Sequence, residues 1–195
     1  MTDSTIPTVL IVPGLRDHVE EHWQTLLQRA LPNARTVAPL EHDKLSRAAR
    51  VDALDAALKQ IDGPVVLVAH SAGVMITVHW AQQHRRPVMG ALLAAPADLE
   101  TALPAGYPTQ DALRDNGWLP IPRARLPFPS IVAASTNDPL ARFERIADMA
   151  QAWGSRLVDV GAVGHLNPAS GYGEWPRAVE FVAELSRQTA HMAHC

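Results

Sequence analysis

Two kinds of hydrophobic pattern alternate along this chain. Short, nearly continuous apolar runs occur at Thr8–Val12, Arg35–Ala38, Val65–Ala69, Ala91–Ala95, Ser130–Ala134 and Arg156–Val160. Continuous runs of this length predict strands covered on both faces, as in a parallel sheet. Between them lie longer stretches with apolar residues every three or four positions: Glu20–Ala30, Leu45–Ile61, Ala72–His84, Arg142–Trp153 and Trp175–Arg187. Val51, Leu54, Leu58 and Ile61 mark the buried stripe of the second, and such spacing predicts amphipathic helices. Strand followed by helix, repeated, implies right-handed crossovers. The expected fold is a three-layer α/β sandwich of about six mainly parallel strands, ordered 2-1-3-4-5-6, with helices on both faces.

The rhythm breaks between residues 96 and 129, where prolines stand at 96, 104, 108, 120, 122, 127 and 129. Proline lacks an amide donor and stops helices, so this segment reads as irregular chain with one short helix near Asp111–Asn116. It is a lid, a pocket wall or a surface excursion. Residues 1–195 read as one domain, with 188–195 as a flexible tail.

Composition narrows the class. Hydrophobic residues make up 47% and charged residues 19%, enough apolar surface for a packed core. A net charge of −3 and a pI near 6.3 argue against nucleic acid or anionic membrane as the main partner. The single cysteine, Cys195, leaves no internal disulfide, which fits a reducing compartment. The apolar run at Val9–Val12 is too short for a signal peptide or a membrane span, and the expected location is cytoplasmic.

Candidate chemistry concentrates in loops that follow strands. Ala69-His70-Ser71-Ala72-Gly73 leaves the third strand and opens a helix. A nucleophile elbow requires this context: small residues allow a sharp turn that holds the serine hydroxyl clear of the sheet. Alanine replaces the usual first glycine, and an ordinary helix-capping serine is the alternative. Asp138, in Ser135-Thr136-Asn137-Asp138-Pro139, follows the fifth strand. His165, in Gly164-His165-Leu166-Asn167, follows the sixth. Asp138 could instead cap the next helix, and His165 could be a satisfied loop histidine, but the order Ser, Asp, His is that of α/β-hydrolases, whose sites lie at the carboxyl ends of the strands.

In this reading Ser71 is the nucleophile, His165 the general base and Asp138 its orienting acid. The amides of Ala72 and Leu15 form the oxyanion hole, with Gly14 shaping the loop Pro13–Asp17 beside the elbow. The expected substrate-binding residues are Gly14, Leu15, Trp23, His70, Trp118, Phe128 and Leu166. They suggest a modest apolar acyl site for short-chain esters. The mechanism needs no metal or organic cofactor, and the partner is a small acyl substrate. His79 and His84 ride the helix away from the elbow. His191, His194 and Cys195, and more loosely Glu41, His42 and Asp43, are the other ligand-type clusters; the first reads as a solvated terminus.

The full set of motifs resembles the RBBP9/YdeN family of small serine hydrolases within the α/β-hydrolase superfamily. The resemblance rests on Val12-Pro13-Gly14-Leu15 with His22-Trp23-Gln24, on the segments around Ser71 and Asp138, and on Gly164-His165-Leu166-Asn167 with Gly171-Tyr172-Gly173-Glu174-Trp175-Pro176. It implies a minimal core with little or no cap, the triad above, and hydrolysis of carboxylic esters or amides. It also suggests Trp23 near the site entrance, with a core role as the alternative. The L-x-C-x-E motif of one vertebrate member is absent here, so its protein partner is not expected. Thioesterase, acyltransferase or peptidase activity on the same triad, or a slow protein-binding module, are the other readings.

Overall fold

The computed structural model describes residues 6–192, with side chains through residue 187. Six strands alternate with helices: β1 (Thr8–Val12), α1 (Trp23–Ala30), β2 (Ala34–Thr36), α2 (Arg47–Lys59), β3 (Val65–His70), α3 (Ala72–Gln83), β4 (Gly90–Ala94), α4 (Gln110–Asp115), β5 (Ser130–Ala134), α5 (Phe143–Trp153), β6 (Arg156–Asp159) and α6 (Pro176–Met192). The strands form one sheet in the order β2-β1-β3-β4-β5-β6, and all five pairings are parallel. β3 is buried at every position, which explains its unbroken apolar run.

The helices cover both faces. α2, α3 and α5 pack on one side around Leu54, Met75, Trp80 and Trp153. α1 and α6 cover the other around Trp23, Trp175, Phe181 and Leu185. Leu10, Val12, Leu67 and Ala69 face the first cluster, whereas Val9, Ile11, Val66 and Val68 face the second, the period-two alternation of a pleated strand.

Three boundaries differ from expectation. α1 starts at Trp23 rather than Glu20, because the His22 ring accepts the Gln24 amide and caps the helix. β2 shortens to three residues at the sheet edge. α6 continues to Met192, so the tail expected from residue 188 is helical up to that point. The cluster of His191, His194 and Cys195 lies outside the residues whose side chains are described.

The proline-rich segment is tied down. Leu113, Trp118, Ile121, Leu126 and Phe128 are buried in the first cluster. The Trp118 indole donates to the Leu45 carbonyl at 2.7 Å, and Arg145 bridges Asp98 and Glu100 beneath it. Among the described residues no helix is long and apolar enough to cross a membrane.

Candidate active site

Ser71 occupies the single position between β3 and α3, at φ 56° and ψ −123°. A non-glycine residue there stores on the order of 1–3 kcal/mol and persists only where its surroundings enforce it. The Ser71 amide donates to the Ala94 carbonyl at 3.1 Å, and the Val74 amide donates to the Ser71 carbonyl at 3.0 Å. The hydroxyl makes no capping bond to α3, which removes the alternative of an ordinary helix-capping serine. Gly73 is sterically required: a Cβ there would lie inside the van der Waals envelope of the Val12 carbonyl oxygen. Ala69 needs no such freedom. It sits within regular β3, fully buried in the core, where a methyl group fits in place of the more usual glycine.

The serine hydroxyl is 2.8 Å from Nε2 of His165, and His165 Nδ1 is 2.8 Å from Oδ2 of Asp138. In the neutral ring Nδ1–H donates to the carboxylate, which leaves Nε2 free to accept from Ser71. His165 and Asp138 are both buried side chains. The other Asp138 oxygen accepts the Leu140 amide at 2.8 Å, so the carboxylate is held at both ends.

Directional bonds lock the two loops together. Asn137 Oδ1 accepts from the Gly164 amide at 2.7 Å and from the Ser135 hydroxyl at 3.0 Å. Ser135 in turn accepts the Val163 amide. On the far side of the ring, the Ser170 hydroxyl accepts the His165 amide at 3.0 Å and donates to Asn167. Gly164 adopts φ 61°, and a side chain there would strike Ser170.

The loop after β1 passes close to Ser71: a Cβ on Gly14 would be 3.4 Å from Ser71 Cβ. Arg50, buried on α2, fixes this loop. Its guanidinium reaches the Asp17 carboxylate at 2.5 Å, the Leu15 carbonyl at 3.2 Å and the Lys44 carbonyl at 2.9 Å. Leu15 and Ala72, the first residue of α3, both line the cavity at Ser71, and a helix N-terminus favours negative charge.

A cavity of about 300 Å³ opens over Ser71. That is the lower end of the range for small-molecule sites. Gly14, Leu15, His70, Ala72 and Trp118 line it, together with Ser71 and His165. Three expected wall residues do not. Trp23 is a core pillar, packed edge-on against Trp175 at 4.9 Å. Leu166 is fully buried in the same cluster, and Phe128 lies in the core on the opposite face. Each large side chain is used to fill a gap between sheet and helix. The apolar wall is instead built by Leu99, Leu103, Tyr107, Leu113 and Leu140. Proline spacing pointed to the segment that supplies most of them, but not to which side chains turn inward. His22 and Gln24 also line the cavity; the His22-Trp23-Gln24 run was the signal that could have found them.

Three histidine rings stand in a row: His22 to His70 at 4.5 Å and His70 to His165 at 4.9 Å between centroids. His70 Nε2–H donates to the His165 carbonyl at 2.8 Å. Burial, reinforced by His165 and His22, pushes the His70 pKa well below the usual histidine value. Burial, then His165, lowers His22 to about 4. Both rings are therefore neutral near pH 7. His79 donates to the Trp118 carbonyl at 3.2 Å, and burial lowers its pKa to about 4. His84 pairs with Asp55, away from the cavity. Glu41, His42 and Asp43 are exposed, and no metal-ligand cluster forms among the described residues.

Comparison with known proteins agrees with this fold. The serine hydrolase family profile matches residues 9–184. A solved structure described as a YdeN-like hydrolase from Pectobacterium atrosepticum is 34% identical, covers 94% of this chain and 92% of its own, and superposes with a TM-score of 0.80. The ydeN gene product of Bacillus subtilis is 19% identical over 94% of this chain and all of its own, with a TM-score of 0.70. Est1E from Butyrivibrio proteoclasticus shares the fold at 12% identity and a TM-score of 0.68, covering 97% of this chain and 90% of its own. No curated protein matches the sequence. The chain belongs to the serine hydrolase family, and its fold is that of a small α/β-hydrolase of the RBBP9/YdeN type.

Proposed function

We propose that the protein cleaves small carboxylic esters through an acyl-enzyme on Ser71, a carboxylesterase-type activity. The observation that carries this reading is the unbroken chain from the Ser71 hydroxyl to His165 to Asp138, with both links at 2.8 Å. Ser71 Oγ attacks the acyl carbonyl as His165 Nε2 takes its proton. The amides of Leu15 and Ala72 stabilise the oxyanion, each donor contributing roughly 3 kcal/mol to the transition state. Asp138 keeps the imidazole in the useful tautomer and supports its cationic form. The ring then passes the proton to the departing alkoxide as the C–O bond breaks. Water, deprotonated by the same histidine, attacks the acyl-enzyme; the carboxylic acid leaves and the serine recovers its proton.

The acyl group lies against Leu99, Leu113, Trp118 and Leu140, an apolar wall suited to short chains. The alcohol half lies toward His22 and Gln24. The partner is thus a small acyl substrate, with no role for nucleic acid or membrane. Ser71→Ala should lower turnover of p-nitrophenyl butyrate by about 10⁴-fold or more, with an unchanged circular-dichroism spectrum. Retained turnover would reject the assignment.

A further inference from the structure

The His22-Trp23-Gln24 run does more than start a helix. The His22 ring is 8% exposed and lines the cavity. Its Nδ1 accepts the Gln24 amide at 3.2 Å, so the neutral ring carries its proton on Nε2. Among the described residues that N–H makes no hydrogen bond. The neighbouring His70 has the complementary arrangement. Its Nε2–H is committed to the His165 carbonyl, which leaves Nδ1 as an acceptor, again with no donor among the described residues. The two rings stand 4.5 Å apart on the same cavity wall. Gln24 uses its amide nitrogen on the Val12 and Val68 carbonyls, at 3.3 and 3.0 Å, and so anchors the start of α1 to the sheet. This pins the donor in place.

A donor without a partner beside an acceptor without a partner, on two side chains that both line the cavity, matches a group that accepts one hydrogen bond and donates another. We propose that His22 and His70 form a subsite for a hydroxyl group on the alcohol half of the substrate, so that hydroxyalkyl esters are preferred over plain alkyl esters. The inference rests on the esterase reading of Ser71 and deepens it. The subsite discriminates through pairing: an alkyl leaving group would cover both polar atoms and leave them unsatisfied.

The test compares 2-hydroxyethyl butyrate with propyl butyrate, two esters of the same length that differ by hydroxyl for methyl. The wild-type protein should hydrolyse the hydroxyethyl ester with a kcat/KM roughly fivefold higher or more, the size of one or two net hydrogen bonds. His22→Asn retains a capping oxygen for α1 but loses the Nε2 donor, and its ratio should fall toward one. His22→Ser, a second capping variant, should give the same ratio. A wild-type ratio near one, or a preference that both variants keep, overturns the proposal. Fluorophosphonate labelling of Ser71 in the same wild-type sample separates the two readings: a labelled protein without preference refutes the subsite alone, whereas an unlabelled folded protein refutes the esterase reading beneath it.

Discussion

The two walls of the cavity are built by opposite means. On the side of Asp138 and His165, the chain is fixed by side-chain bonds to backbone: Ser135, Asn137, Asn167 and Ser170 all hold loop amides. On the side of residues 96–129, the chain is fixed by burial: Leu99, Leu113 and Trp118 are each at most 3% exposed. Under the proposed function, the difference follows from what each wall must do. Proton transfer demands atoms placed to a few tenths of an ångström, and directional bonds supply that. An apolar acyl chain demands only a dry surface of suitable shape, and packed leucines supply that without specifying an angle.

This contrast can be broken from either side. The largest stability effect should come from Trp118→Ala. Removing a fully buried indole with its bond to Leu45 should destabilise the fold by about 3–5 kcal/mol, measured by urea denaturation. Surviving folded protein should lose its preference for butyrate over acetate esters while retaining acetate turnover. Asn137→Ala should do the reverse. It frees the Gly164 amide at the surface and the buried Ser135 hydroxyl, so stability should fall by about 1–2 kcal/mol. kcat should nonetheless drop roughly tenfold, with little change in KM. Equal losses of kcat for short and long esters would show that the histidine loop had moved and not the acyl wall.

Acidification gives a smaller and graded test. His22 and His79 titrate near 4 in the folded protein, and His70 titrates well below its usual value. An unfolded chain binds these protons near pH 6.5. Between about pH 6.5 and 4 the unfolded state therefore carries more protons, and stability falls as pH falls. The midpoint of thermal unfolding should drop by several degrees across this window. A flat profile would mean that these rings are solvated.

The sheet was legible in the sequence because its strands are covered on both faces, so β1, β3 and β5 appear as unbroken apolar runs. The edge strand β2 was less so, since one flank is open and its residues are mixed. The elbow and its two partner loops were legible because their chemistry needs particular residues in a fixed order after particular strands. The walls were not. Trp23, Phe128 and Leu166 are apolar whether they fill the core or line a cavity, and only the direction of the side chain separates the two. The Arg50 clamp on Leu15 and Asp17 was equally hidden, because it joins a helix to a loop 33 and 35 residues away.

The central claim is that Ser71 is an activated nucleophile poised by His165. Tandem mass spectrometry of the intact protein after a fluorophosphonate reagent tests it most directly. The account predicts a single phosphonyl adduct on the peptide that contains Ser71, formed in minutes and lost in His165→Ala. An adduct on a different residue, or a folded protein that stays unmodified, would contradict it.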